Sequence, residues 1–261
     1  MKLIDYTEGK GIGILRLQSP ATRNAISREL LRQLDIIIRE LDLSKPKDQP
    51  RVLIITGEGN TAFCAGADLK ERATMTEAEV WSFLGKFREF LANIERLPFP
   101  TIAGINGVAL GGGLEIALAC DLRAISTSAL IGLPETKLGI IPGAGGTQRL
   151  SRLIGANRAK EIIFTGRKIS ATEANLLGLV NRVLPEENFA ETLLSFAEEI
   201  SSSAPISLRA AKRAIQEGLN LDLEKGLDLE QECYSLTLKT KDREEALLAF
   251  REKRKPVFRG E

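Results

Sequence analysis

The chain contains no histidine. That absence excludes Ser–His and Cys–His nucleophile pairs, His-ligated metals and an imidazole base. Acid–base chemistry must therefore fall to Asp, Glu, Lys, Tyr or Cys. Cysteine is scarce too. Cys64, Cys120 and Cys233 are the three present, and their spacing fits no zinc-ligand pattern. They predict reduced thiols in a cytoplasmic protein with no bound metal. Neither sign of charge is in excess. Lys+Arg number 36 and Asp+Glu 35, a net charge of +1, so no global signal points to nucleic acid or an acidic partner. No apolar run reaches the ~18 residues that would suggest a membrane span. Residues 1–6 read as a strand, not as a targeting leader.

What is present supports one large domain, or one domain with an appendage. The 261 residues are 43% hydrophobic, enough for a sizeable core. Residues 3–6 and 12–17 flank Gly9-Lys10-Gly11 and read as a hairpin. Ser27 is placed to cap a helix reaching about residue 41. Residues 52–56 and 101–105 are buried-strand runs, with a further strand at 122–126. Thr76 with Glu79, and Ser170 with Glu173, have capping-box spacing. A short strand is expected at 179–183, and after Pro205 only helical patterns remain, at 206–218, 223–239 and 242–253. Alternating strands and helices predict an α/β layer with mostly parallel strands.

The most informative stretch follows the run at 101–105. Gly111, Gly112 and Gly113 lead into a helical pattern opening at Leu114, with Glu115 in its first turn. Such a junction exposes backbone N–H groups to a ligand and favours negative charge. It can equally be a tight turn with close helix–strand packing. A second carboxylate, Glu135, follows Pro134, ahead of the small-residue loop from Gly139 to Gly146. Gly143–Thr147 is no phosphate loop, since no Gly-Lys-Ser/Thr follows it.

Taken together, four segments resemble the enoyl-CoA hydratase/isomerase (crotonase) superfamily. They are Arg23-Asn24-Ala25, the run Phe63 to Lys70, the run Gly107 to Glu115, and the run from Glu135 through Gln148; the tail from Phe250 is similar as well. The resemblance spans essentially the whole chain. It implies an α/β fold, a spiral of repeated ββα units over 1–200, with a helical C-terminal oligomerisation region over 201–261. It implies a homotrimer, often stacked as a hexamer, and an acyl-CoA thioester substrate, with no cofactor beyond the CoA carried by that substrate. By motif, the N–H groups of Ala67 and Gly112 would form an oxyanion hole, and Glu115 and Glu135 would be the catalytic carboxylates. Arg23, Asn24, Ala25, Ala65, Asp68 and Leu69 would contact CoA, and Lys253, with Tyr234, would reach CoA on a neighbouring subunit.

Both Glu positions being filled favours a hydratase, which adds water across a 2,3 double bond. The alternatives are an isomerase of the same fold, or the 3-methylglutaconyl-CoA hydratase branch, whose motifs are closest and in which one member binds RNA. The helix at 27–41 carries Arg28, Arg32 and Arg39 but also Glu29, Asp35 and Glu40. That mixture reads as a solvated face rather than an RNA surface. With no histidine to pair with it, Cys64 reads as structural despite its place beside Ala67.

Overall fold

The computed structural model describes residues 2–261; Met1 lies outside the described residues. Strands β1 (Ile4–Gly9) and β2 (Ile12–Leu17) form the expected antiparallel hairpin. Lys10 and Gly11, both at positive φ, make its two-residue turn. Ser27 caps α1 (Arg28–Leu43) by accepting the Leu30 N–H.

The core is a spiral. Each turn sends one strand into a large sheet, one into a small sheet, and then helix. The first turn is β3 (Val52–Gly57), β4 (Ala62–Cys64), α2 (Leu69–Arg72) and α3 (Glu77–Arg96). The second is β5 (Thr101–Ile105), β6 (Val108–Leu110) and α4 (Gly112–Ala119). The third is β7 (Leu122–Ser126), β8 (Leu130–Gly132) and the helices α5 (Gly146–Ile154) and α6 (Ala156–Thr165). Strands β2, β3, β5 and β7 run parallel in the large sheet, as do β4, β6 and β8 in the small one. β9 (Ile169–Ser170) joins β8 antiparallel, and β10 (Arg182–Leu184) joins β7 parallel. Strands β3 and β5 are buried along their whole length, as parallel strands covered on both faces must be.

Helix α3 carries the complete capping box: Thr76 Oγ1 accepts the Glu79 N–H while Glu79 accepts the Thr76 N–H. Its apolar face is divided. Phe83, Phe87, Phe90, Leu91 and Ile94 enter the core, while Val80 and Leu84 stay half-buried beside a cavity. The second capping box is only half formed. Ser170 accepts the Glu173 N–H at the start of α7 (Ala171–Leu176), but Arg167 takes the Glu173 carboxylate at 2.6 and 2.9 Å. Other boundaries move. The last strand is 182–184, because Gly178 turns the chain and residues 179 and 180 pack without pairing. Helix α10 (Leu223–Ser235) stops four residues before the expected 239.

Helix α8 (Phe189–Ser201) covers the outer face of the large sheet, where Leu193 packs with Ile54 and Ile102. The chain then continues as α9 (Pro205–Gly218), α10 and α11 (Lys241–Glu252). Lys212 on α9 is tied to the core through Asp121 at 2.7 Å, and Asp121 also accepts the Thr101 N–H. Among the described residues no helix is long and apolar enough to cross a membrane.

Asn106 holds successive turns of the spiral together. Its buried amide accepts the Gly57 N–H and donates to the carbonyls of Gly57 and Gly59. Asn106→Ala strands these backbone groups, so urea unfolding should show a loss of at least about 2 kcal/mol. An unchanged midpoint and slope would remove Asn106 from this role.

Candidate active site

The glycine run is where strand becomes helix. β6 ends at Leu110 and is followed by Gly111, whose φ of +51° and ψ of −123° suit glycine alone. A side chain there would also stand 3.0 Å from Glu135 Oε1. Helix α4 opens at Gly112, two residues earlier than its apolar pattern suggests. Its first N–H groups have no intrahelical acceptor. Gly113 serves packing: a Cβ there would collide with the Cys64 carbonyl of β4. The packing reading and the ligand-facing reading therefore apply to different glycines of one triplet.

The segment after β4 folds over this helix end. The Ile26 N–H donates to the Gly66 carbonyl at 2.8 Å, and the Asp68 N–H donates to the Ile26 carbonyl at 3.1 Å. Ala67, bridged in parallel to Ile26, keeps an N–H with no acceptor among the described residues. A Cβ on Gly66 would lie 3.6 Å from the Gly112 nitrogen, so the two stretches of backbone run side by side. Ala67, Gly112, Glu115 and Glu135 all line one cavity of about 750 Å³.

The two carboxyl groups in that cavity differ in their partners. Glu115 is 3% exposed, and its Oε1 accepts the N–H groups of Ala144 at 2.9 Å and Gly146 at 2.7 Å. Gly146 opens α5, so the charge sits at a helix N-terminus. Burial pushes the Glu115 carboxyl up, while these two amides and the nearby Arg149 pull it down. Glu135 sits in a short 3₁₀ turn after Pro134. Its Oε2 is buried without a partner among the described residues. Burial, with repulsion from Glu115, pushes Glu135 up to about 7, opposed only by its own backbone N–H. Of the pair, Glu115 is the better held as an anion and Glu135 the readier to keep a proton.

The family model for enoyl-CoA hydratase/isomerase matches residues 7–261. The chain belongs to that family. It is 52% identical to the enoyl-CoA isomerase/hydratase fer4 of Mycosarcoma maydis, over 96% of this chain and 93% of that one. It is 47% identical to the mitochondrial methylglutaconyl-CoA hydratase of Mus musculus, over 97% of this chain and 81% of that one. The crystal structure of an enoyl-CoA hydratase from Bacillus anthracis superposes with a TM-score of 0.96 at 47% identity, covering both chains fully. The fold is thus the crotonase α/β spiral with a helical C-terminus.

The remaining sequence candidates of this family member differ in their access to the cavity. Ala65 and Leu69 line the cavity, and Ala25 lies half-buried nearby in the chain. Arg23 is exposed at positive φ, and its carbonyl accepts the Ala65 N–H at 3.0 Å. The side chain of Asn24 is not available to a ligand. It is 1% exposed, its Oδ1 accepts the Ser19 N–H, and its Nδ2 donates to the Ala62 and Phe63 carbonyls. That side chain fastens the turn at 19–24 to β4, so a contact of Asn24 with CoA would have to come from its backbone. Asp68 caps α2 by accepting the N–H groups of Lys70 and Glu71. Lys253 ends α11 at positive φ, and it and Tyr234 are exposed outside the cavity wall. Cys64 is fully buried and its thiol is pushed up to about 12 by burial, which leaves it inert.

Two arginines went unrecognised in the sequence. Arg149 grips Glu95 with two bonds of 2.6 and 2.8 Å and donates to the Ala144 carbonyl at 2.9 Å. It therefore steadies the loop whose amides hold Glu115. Arg72 stands on the cavity wall itself.

Glu135 should cost the fold stability at neutral pH. Below its ordinary value of 4.5 the group is protonated in both folded and unfolded chains. As pH rises to about 7, the unfolded chain ionises first and the folded state loses ground. Glu135→Gln should raise the melting temperature at pH 8, and the gain should vanish near pH 4. An equal shift at both pH values would contradict the raised value.

Proposed function

We propose that the protein is an enoyl-CoA hydratase. It adds water reversibly across the 2,3 double bond of a 2-enoyl-CoA thioester to give a 3-hydroxyacyl-CoA. The observation that carries this reading is the unequal pair: an amide-held carboxylate, Glu115, and a partnerless buried carboxyl, Glu135, facing one cavity. Moving a double bond requires one group that shuttles one proton. Adding water requires a base for the water and an acid for carbon, and two carboxyl groups suit that task.

In this scheme the thioester oxygen lies between the N–H groups of Ala67 and Gly112. Those donors stabilise the negative charge that grows on it as the β-carbon is attacked. Glu115 orients water and takes one of its protons while the oxygen bonds to the β-carbon. Glu135 gives its proton to the α-carbon. A proton then returns from Glu115 to Glu135 to restore the starting state. CoA enters as part of the substrate, and no separate cofactor is needed.

Glu115→Gln and Glu135→Gln keep shape and remove proton transfer. Each should lower crotonyl-CoA hydration by roughly 10²–10⁴-fold with the fold retained. In the wild type, kcat/KM for hydration should fall as pH rises through about 7, where Glu135 loses its proton. Near-normal turnover in either folded variant would defeat the two-carboxyl scheme.

We further propose a trimer, or a stacked pair of trimers, built through the C-terminal helices. Leu219 and Leu223 are 81% and 79% exposed and Phe250 is 84% exposed, an apolar surface that a neighbour would cover. Lys253 and Tyr234 would then reach CoA held by the adjacent subunit. Light scattering should give a multiple of three chains, and a stable, fully active monomer would refute the arrangement. RNA is a poor partner in this reading. Arg28, Arg32 and Arg39 of α1 already face Glu79, Glu29 and Asp35 at 3.1, 2.7 and 2.7 Å. The three buried, unpaired cysteines support a reducing compartment such as the cytoplasm.

A further inference from the structure

The loop that holds Glu115 has little of its own to hold it. Residues 143–146 are Gly-Ala-Gly-Gly, a run that loses much backbone freedom when it is ordered. Pro142 and Gly143 line the catalytic cavity, whereas Ala144 and Gly145 line a surface groove of about 620 Å³ between α3 and α5. Charged groups stand on both sides. Glu135 and Arg72 share the cavity with Glu115, and Arg88, Glu89, Glu95, Arg149 and Arg152 line the groove. Among the described residues, Arg149 is the one basic side chain that bonds to the loop. Its Nη1 donates to the Ala144 carbonyl at 2.9 Å, and a Cβ on Gly145 would collide with the guanidinium. Glu95 takes the Nε–Nη2 edge of the same guanidinium at 2.6 and 2.8 Å. Glu95 is anchored in turn, for its carbonyl accepts Gln216 Nε2 of α9 at 3.1 Å, and that amide also donates to Asp121. Glu89 is taken by Arg39 instead, and Arg152 turns back onto Gln148 of its own helix.

We propose that Arg149 is a positioning residue for hydration: clamped by Glu95, it fixes the Ala144 and Gly146 amides, and these fix where the Glu115 carboxylate stands against the attacking water. This inference rests on the hydratase reading. Ala144 is bonded on both sides, its N–H to Glu115 and its carbonyl to Arg149. A movement of the guanidinium is therefore carried to the base through a single residue. Misplacing a reacting group by about 1 Å can cost roughly 10²-fold in rate. The guanidinium charge acts as well. It favours the ionised form of Glu115, and the carboxylate of Glu95 offsets part of it. Arg149 and Glu95 thus serve the same geometry with opposite charges.

The test follows crotonyl-CoA hydration by the purified full chain across a pH series. Arg149→Met should lower kcat by about 10²-fold with KM unchanged. The acid limb of its kcat profile, where Glu115 takes up a proton, should move to higher pH. Glu95→Gln leaves the Arg149 charge unopposed, so kcat should again fall while the acid limb moves to lower pH. Arg149→Lys keeps the charge but not the fork; its acid limb should match the wild type and its kcat should lie between. A lesion that merely loosened the fold would not shift the two limbs in opposite directions. An unchanged kcat in folded Arg149→Met overturns the proposal, as does a loss confined to KM, or a limb shift of the same sign in Arg149→Met and Glu95→Gln. If Arg149→Met does not fold, an unchanged kcat in Arg149→Lys or a limb that fails to fall in Glu95→Gln overturns it. If the wild type does not hydrate crotonyl-CoA, the hydratase reading fails. Infrared titration of the Glu115 carboxylate without substrate then judges Arg149 separately. Opposite shifts in Arg149→Met and Glu95→Gln sustain its hold on Glu115, and equal or absent shifts overturn it.

Discussion

The carboxylate of Glu115 accepts two backbone N–H groups, from Ala144 and Gly146, and those bonds join two turns of the spiral. They bind the first turn of α4 to the first residue of α5. An ion this deeply buried survives only with such partners. Its presence in turn shapes its neighbours. Arg149 is drawn against the same loop, held between Glu95 and the Ala144 carbonyl. Glu135, facing the same cavity with no partner for Oε2, is discouraged from ionising. Burial chiefly, with repulsion from this hydrogen-bonded anion added, keeps the other carboxyl protonated to higher pH.

The crotonase spiral makes this arrangement possible by stacking equivalent points of successive turns. Each turn crosses from the large sheet to the small one, and the segments that leave the small sheet pile up at the cavity. Ala67 follows β4, Gly112 follows β6, and Glu135 follows β8. The proposed oxyanion donors and the two carboxyls thus come from three turns of one device. The packing is tight there: Gly113 has no room for a side chain against β4, and Gly111 has little beside Glu135. A buried Asn106 ties the large-to-small crossings of the first two turns together.

Much of this was legible in the sequence because the signals are local. The hairpin, α1 and α3 carry their own turn residues, caps and apolar stripes. The two carboxylates stood out through motif order rather than through any motif alone. The small sheet was illegible, since β4, β6 and β8 are three residues each and β9 is two, too short for a pattern to declare itself. The opening of α4 was hidden because glycine is a poor helix former, yet it starts the helix here. Asn24 sits within a family motif, but its amide faces inward, and sequence does not show which way a side chain turns. Arg72 lies in the charged run from Lys70 to Arg72, which reads as solvated; only tertiary packing against Phe83 sets it apart.

The central claim is that the folded protein holds one carboxyl as an anion and the other as an acid in a single cavity near neutral pH. Infrared difference spectra between the wild type and Glu135→Gln, recorded across a pH series, test it without substrate. The account predicts a protonated-carboxyl C=O band, lost in Glu135→Gln, that titrates away around pH 7, while the signal assigned by Glu115→Gln is that of a carboxylate at the same pH. A Glu135 band that disappears near the ordinary value of 4.5, or a protonated Glu115 at pH 7, would contradict it.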